Sequence, residues 1–260
     1  MLTCRLQGGL GNQMFQIATT SALGKDIKAN VAFDFNTCHT PAQGFVSNKY
    51  KDTIFKNVID KPLNNTKFSG VYTEPKFSFS ELPKQDNIIL SGYFQSYKYF
   101  SKYRDEILRL FTIPENILDI VETFLISEVS EDEMITSVHI RRGDYMNLTD
   151  FHTPCTIEYY KKAMDEIGGG HFVFISDDIE WCKENFKGHN IHYSPFTDEI
   201  EDLALMSICD NQIIANSSFS WWGAYLCEFE DNKVIAPSKW FGPEGPSDQK
   251  DIIPMTWKKF

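Results

Sequence analysis

Arginine is scarce in this chain. Only five of the 25 basic residues are arginine, and 36 acidic residues bring the net charge to −11 over 260 residues. So acidic a chain excludes an extended nucleic-acid surface, which needs a basic stripe. Any anion-holding site must therefore be local. The six cysteines, at 4, 38, 155, 182, 209 and 227, form no C-x-x-C pair and no zinc spacing. That excludes a structural zinc module and favours reduced thiols. His189 and His192 flank a strand-like stretch without a third ligand, so they are not expected to hold a metal. The chain carries no signal-peptide pattern, and no apolar run approaches the roughly 18 residues of a membrane span. Either the protein works in the cytoplasm or it docks peripherally on a membrane. Repeats and low-complexity segments are absent as well.

Within this background, two of the five arginines are adjacent, in His139-Ile140-Arg141-Arg142-Gly143-Asp144-Tyr145. They follow residues 134–140, a short buried strand by composition. A guanidinium grips phosphate bidentately and keeps its proton, and the carboxyl end of a strand is where an α/β protein holds an anionic ligand. The plainer reading is a surface ion pair such as Arg142 with Asp144. Strand-like and helix-like stretches alternate throughout, the α/β signature. Strands are expected at 2–7, 30–35, 88–94, 171–175, 190–193 and 212–215. Helices are expected at about 14–23, 97–111, 115–128, 156–167 and 198–208, with others after 178 and 217. Residues 36–87 read as loops and short elements, and 127–133 as a linker. Three strands of the second half thus open onto polar loops: the arginine pair, Ser176-Asp177-Asp178, and Asn216-Ser217-Ser218-Phe219-Ser220. In a parallel sheet these share one edge. Ser217 and Ser218 fit a helix cap, a phosphate seat, or both. Asp177 and Asp178 fit a cap, or acceptors for a guanine edge or ribose. At the N-terminus, Gly9-Leu10-Gly11 lacks the third glycine of the dinucleotide fingerprint and the P-loop lysine. It reads as a tight turn that lets backbone approach a ligand.

Four blocks in order carry a family resemblance: Gly-Gly-Leu-Gly-Asn-Gln-Met-Phe-Gln (8–16), His-Ile-Arg-Arg-Gly-Asp-Tyr (139–145), Ile-Ser-Asp-Asp (175–178) and Asn-Ser-Ser-Phe-Ser-Trp-Trp-Gly-Ala (216–224). Together they resemble the α-1,2-fucosyltransferases of glycosyltransferase family 11. The resemblance implies a GT-B fold: two Rossmann-like lobes facing a cleft, an acceptor-side lobe at 1–130 and a GDP-sugar lobe at 131–260. It implies transfer of L-fucose from GDP-β-L-fucose to the 2-hydroxyl of a galactose-terminated glycan, with inversion, in bacterial surface-glycan or oligosaccharide synthesis. By the same resemblance Arg141 holds the β-phosphate, helped by Gly11, Asn12 and Gln13 from the other lobe and by Ser217, Ser218 and Phe219. His139 and Asp177 face guanine. Eukaryotic relatives carry a membrane anchor, and its absence here points to a bacterial cytoplasmic enzyme.

The chemistry of that reaction fits these residue types. A departing diphosphate needs a divalent metal or fixed cations. No Asp-x-Asp metal motif stands at a strand end, so no metal or other cofactor is expected and Arg141 takes the cation's role. The acceptor hydroxyl needs a base. Asp144, inside the motif, is favoured, with Asp150 and His152 as alternatives; a role for Asp144 in positioning Arg141 is nearly as well supported. Arg142 is expected to orient Asp144. Trp221 and Trp222 read as core more than as sugar platforms, and the aromatic run 93–100 is the better candidate platform for the acceptor. Two rivals stand beside this reading: a non-catalytic sugar- or nucleotide-binding module, and a GDP-sugar transferase of different linkage.

Overall fold

The computed structural model describes residues 1–38, 46–129 and 133–260. These divide into two compact units, Met1–Thr112 with Asp248–Pro254, and Ile113–Ser247 with Met255–Phe260.

The first unit holds strand β1 (Thr3–Cys4), helix α1 (Leu10–Ile27), strands β2 (Gly70–Thr73) and β3 (Ile88–Ser91), and helix α2 (Arg104–Leu110). Its sheet runs β1-β3-β2, all parallel. The expected strand at 30–35 makes only isolated bridges, Leu2 with Val31 and Phe33 with Asp60. The expected helix at 97–111 splits into 3-10 turns at Tyr97–Tyr99 and Ser101–Tyr103 before α2. Helix α1 starts at Leu10, earlier than expected, so Gly11, Asn12 and Gln13 form its first turn. The segment 248–254 returns from far along the sequence. Its buried Asp251 pairs with Lys98 and accepts the Phe79 N–H at 3.1 Å.

The second unit holds helix α3 (Glu115–Glu128), β4 (Ile135–Ile140), α4 (Ile157–Ile167), β5 (His171–Ser176), α5 (Ile179–Asn185), β6 (Ile191–Tyr193), α6 (Glu199–Ile208), β7 (Asn211–Ile213), α7 (Ser218–Leu226), β8 (Lys233–Ala236) and β9 (Lys258–Lys259). A division at 130 would leave α3 with the first lobe. Instead α3 packs on α6, and the Phe124 and Phe196 rings meet edge to face at 5.4 Å. Of the linker expected at 127–133, Ser127 and Glu128 close α3, and residues 130–132 lie outside the described residues.

All six strands of the second sheet are parallel, in the order β6-β5-β4-β7-β8-β9. Central strands of such a sheet are covered on both faces, so β4 is buried almost end to end. Helix α4 buries Tyr160, Ala163 and Ile167, one helical face, and is capped by the Thr156 hydroxyl accepting from the Tyr159 N–H. That face packs on Val138, Ile140, Phe174, Ile213 and Ile235. Each large buried side chain contributes about 1.5–3 kcal/mol. The chain leaves β4 to build β5 and β6 on one side, then returns to build β7 and β8 on the other. The order therefore reverses between β4 and β7, and a crevice opens there at the carboxyl ends.

Candidate functional site

Both arginines stand at that reversal. Residue Ile140 of β4 is in register with Ser176 of β5, which sets Arg141-Arg142 beside Asp177-Asp178. The Arg141 guanidinium is held twice, by Asp144 at 2.5 Å and by Asp177 at 3.1 Å. Burial works against its charge, but the Asp177 and Asp144 carboxylates outweigh it and leave the Arg141 pKa raised. Arg142 does not orient Asp144 as expected. Its backbone N–H donates to Asp177 at 2.9 Å, its Nε donates to Asp178 at 2.9 Å, and its guanidinium lies 4.1 Å from the Trp181 ring centre. The reason is direction: successive residues leaving a strand point to opposite sides. Arg142 is thereby fixed as structure, and Arg141 is the arginine presented at the strand end. Asp178 also caps α5, accepting from the Trp181 N–H. Gly143 makes this packing possible, because a Cβ there would lie 2.5 Å from Asp177 Oδ2.

His139, one residue back on β4, is buried, and its ring stands 5.6 Å from that of Phe219. Burial, with the nearby Arg141 charge, lowers its pKa to about 3, so it is neutral at any physiological pH. Its Nδ1 is buried with no hydrogen-bond partner among the described residues. Across the reversal, Ser217 caps α7 by accepting from the Phe219 N–H at 3.3 Å. Ser218 and Phe219, half-buried, open that helix. The first turn of α7 carries no acidic side chain, which leaves its dipole favourable to an anion. The residue before it, Asn216, was not singled out from sequence although it lies inside a recognised block. It ties the arginine loop to β7: its Nδ2 donates to the carbonyls of Thr153 at 3.0 Å and Trp240 at 2.9 Å, and its own carbonyl accepts from Tyr145 at 3.1 Å.

The remaining candidates in this unit separate by environment. Asp150 is exposed. His152 stacks flat on Tyr145 at 4.4 Å, its Nδ1 buried without a partner among the described residues. Its pKa is lowered, mainly by burial and further by Arg141, with Asp144 opposing. Trp221 and Trp222 are wholly buried, so they are core and not sugar platforms. His192 pairs with His171 and Glu128, and among the described residues no group of three His, Cys, Asp or Glu side chains is placed to hold a metal.

In the first unit, Gly8 takes φ 78°, a conformation that favours glycine, and turns the chain into α1. Gln13 is fully buried and braces this turn: its Nε2 donates to the Gly8 carbonyl at 2.9 Å, and its Oε1 accepts from Ser47 at 2.7 Å. With its amide engaged at both ends inside the unit, Gln13 supports the turn from within. Gly11 and Asn12 are buried in the first turn of α1, and Gln95 donates to Asn12 Oδ1 at 2.5 Å. In the aromatic run 93–100, Phe94, Tyr99 and Phe100 are core, which leaves Tyr93 and Tyr97 as the aromatic side chains a ligand could meet.

A sequence model of glycosyl transferase family 11 matches residues 1–259. The chain belongs to glycosyltransferase family 11. Among relatives of this family 11 enzyme, an O-antigen biosynthesis glycosyltransferase, WbnK of Escherichia coli, is 32% identical, covering 95% of this chain and 97% of the relative. An alpha-1,2-colitosyltransferase of Escherichia coli is 33% identical over 99% and 98% of the two chains. A galactoside 2-alpha-L-fucosyltransferase of Caenorhabditis elegans is 25% identical over 100% of this chain and 79% of the relative. The fold is similar to that of NodZ alpha-1,6-fucosyltransferase crystallised with GDP, at a TM-score of 0.57 and 12% identity, covering 87% of this chain and 92% of NodZ. It is the α/β GT-B fold that the motifs implied. Among the described residues, no helix of the enzyme is long and apolar enough to cross a membrane.

Proposed function

We propose that this glycosyltransferase moves L-fucose from GDP-β-L-fucose to the 2-hydroxyl of a galactoside, with inversion and without a metal, in the assembly of a bacterial surface glycan. The observation that carries this is Arg141: a guanidinium at the carboxyl end of β4, the strand at which the order reverses, fixed between two carboxylates. When the C1–O bond breaks, negative charge gathers on the departing GDP diphosphate and positive character on the sugar. A cation already in place stabilises that charge without reorganising. Arg141 supplies the cation, and the α7 N-terminus at Ser217-Ser218-Phe219 adds dipole and N–H donors. Buried, neutral His139, with its unmatched Nδ1, suits the recognition of a polar base edge. Asp177, bound to Arg141 and to the Arg142 N–H, keeps the cation aligned.

Inversion requires attack from the face opposite the diphosphate. Asp144 is bonded directly to the arginine that grips the leaving group, which puts it on the leaving-group side. In this mechanism Asp144 is a positioning residue for Arg141, and the hydroxyl proton is taken elsewhere. The alternatives are His152, whose lowered pKa keeps it neutral and able to accept a proton, and Asp150, which stands exposed in the same loop.

A second donor has a specific observation in its favour, since the relative named a colitosyltransferase is more similar to this chain than the fucosyltransferase from Caenorhabditis elegans. Colitose is a deoxy analogue of fucose, and the same phosphate-holding machinery serves either sugar. The test is calorimetric titration of GDP, GDP-fucose and GDP-colitose in excess EDTA, followed by linkage analysis of the product formed on β-galactosides. Binding in EDTA and an α-1,2 product support the proposal, and the tighter donor names the sugar. Binding that appears only on adding Mg²⁺ or Mn²⁺ would overturn the role given to Arg141. An inability to bind any GDP-sugar would favour a non-catalytic module.

A further inference from the structure

The carboxyl edge of the first unit holds a residue built to meet a ligand. Gln95 lies just beyond β3, the strand paired with β1, so its loop adjoins the glycine turn. It is 7% exposed, and one end of its amide is committed, with Nε2 donating to Asn12 Oδ1 at 2.5 Å. The other end, Oε1, is buried and has no hydrogen-bond partner among the described residues. A buried acceptor left unmatched is destabilising, so its retention calls for an explanation.

The turn that delivers Gln95 is held with unusual care. Glu74, just after β2, accepts the backbone N–H groups of both Tyr93 at 2.8 Å and Phe94 at 3.0 Å through one oxygen. Gly92 leaves room for that carboxylate, since a Cβ there would approach Glu74 Oε2 to 2.6 Å. Phe94 adopts φ 51°, a left-handed conformation unfavourable for a bulky side chain. Burial of its ring edge-to-face against Tyr99 at 5.7 Å keeps it there. Three strand ends, a strained residue and a half-buried carboxylate thus converge on the placement of one amide.

We infer that Gln95 is a sugar-binding residue, its Oε1 accepting a hydrogen bond from a hydroxyl of the donor or the acceptor sugar. The chemistry selects the ligand: the unmatched atom is an acceptor, so the ligand must bring a donor. A diphosphate has none at neutral pH, whereas a sugar has several. The inference rests on the glycosyl-transfer reading above and adds a residue of the first unit to it.

Gln95→Met keeps the length of the side chain and removes both the oxygen and the bond to Asn12; Gln95→Glu restores an acceptor but not that bond, so it separates the two losses. The measurements are the affinities for GDP and GDP-fucose by calorimetry, the acceptor KM at saturating donor, and thermal unfolding as a control for folding. The Met variant is expected to bind GDP within about twofold of wild type. It should lose roughly tenfold in GDP-fucose affinity if the hydroxyl belongs to the donor, or gain roughly tenfold in acceptor KM if it belongs to the acceptor, as one lost hydrogen bond implies. Gln95→Glu should recover part of that loss. Unchanged values for both sugars overturn the inference, as does an equal loss for GDP itself, which would place the amide against the nucleotide. A wild-type protein that binds no GDP-sugar refutes the glycosyl-transfer reading instead, and this inference falls with it.

Discussion

The two units present opposite chemistry at the same place, the carboxyl edge of a parallel sheet. In the second unit that edge is crowded with charge: Arg141 and Arg142 cross-paired with Asp144, Asp177 and Asp178. In the first, past the exposed Arg5 that follows β1, the amides of Asn12 and Gln95 meet, and the half-buried Glu74 holds the turn that carries Gln95. A charged edge, fixed by its own counter-ions, suits a phosphate. A pair of amides with an unmatched oxygen suits a hydroxyl. The contrast shows how a chain with few arginines can serve an anionic and a neutral ligand at once, by spending two of its five on one strand end.

The sharpest way to break the comparison is Arg141→Ala. Removing one preorganised electrostatic donor costs on the order of 10²–10³ in kcat, measured with saturating donor, whereas Gln95→Met should leave GDP binding intact. A loss below about threefold would deny the second unit its special role, on that same scale.

The next test is pH, where the two edges have opposite signs. His139 has a folded pKa of about 3 against the ordinary imidazole value of 6.5. Between these values the unfolded chain binds the proton and the folded one does not, so stability falls as pH drops below 6.5. The loss reaches about 2 kcal/mol by pH 5. Glu74 is raised, chiefly by burial, from 4.5 to about 7, against the lowering effect of the Phe94 and Tyr93 N–H groups. Its folded form binds the proton more tightly, so stability is lost as pH rises from 4.5 to about 7. Between pH 4.5 and 6.5 the two contributions oppose each other, so relative to wild type the urea midpoints should tilt downward with rising pH in His139→Gln and upward in Glu74→Gln. Slopes unchanged in the variants would remove both assignments.

Gly143→Ala follows. Its Cβ would displace Asp177 and, with it, one of the two carboxylates on Arg141. A loss of roughly tenfold in GDP affinity is expected, as for a misplaced charge-assisted bond, with little change in melting temperature. Arg142→Ala should be mildest: a partly exposed pair and a cation–π contact, about 1 kcal/mol of stability together, with kcat reduced far less than in Arg141→Ala. Equal kinetic losses in the two arginine variants would show that both touch substrate.

How much of this could be read from the sequence differs between the units for a physical reason. In the second, β4 and β5 are six residues each and α4 has a clean buried face, so the alternation and all three strand-end loops could be read. The pairing scheme could not, because Arg142 meets Asp178 only through the register of Ile140 with Ser176. In the first, β1 and β3 could be read, though β1 is only two residues long, whereas β2 is largely exposed and shows no period. The glycine turn stood out by composition, yet its place inside the first turn of α1 did not. Gln95 was within reach, since the strand-end rule that found Arg141 finds it too when applied after Ile88–Ser91. The aromatic rings around it, most of them core, give the segment the look of a hydrophobic helix start. The family placement came through the four motif blocks, whose residues belong to both units.

The return of residues 248–254 to the first unit bears on how the protein is made. Lys98 and the Phe79 N–H wait for Asp251, which is synthesised about 150 residues later, at roughly ten residues a second. The amino-terminal half therefore leaves the ribosome as an unfinished body and is closed only once Asp251 has been made. A truncation that removes the last dozen residues would spare every motif and still leave that half without its final buried carboxylate.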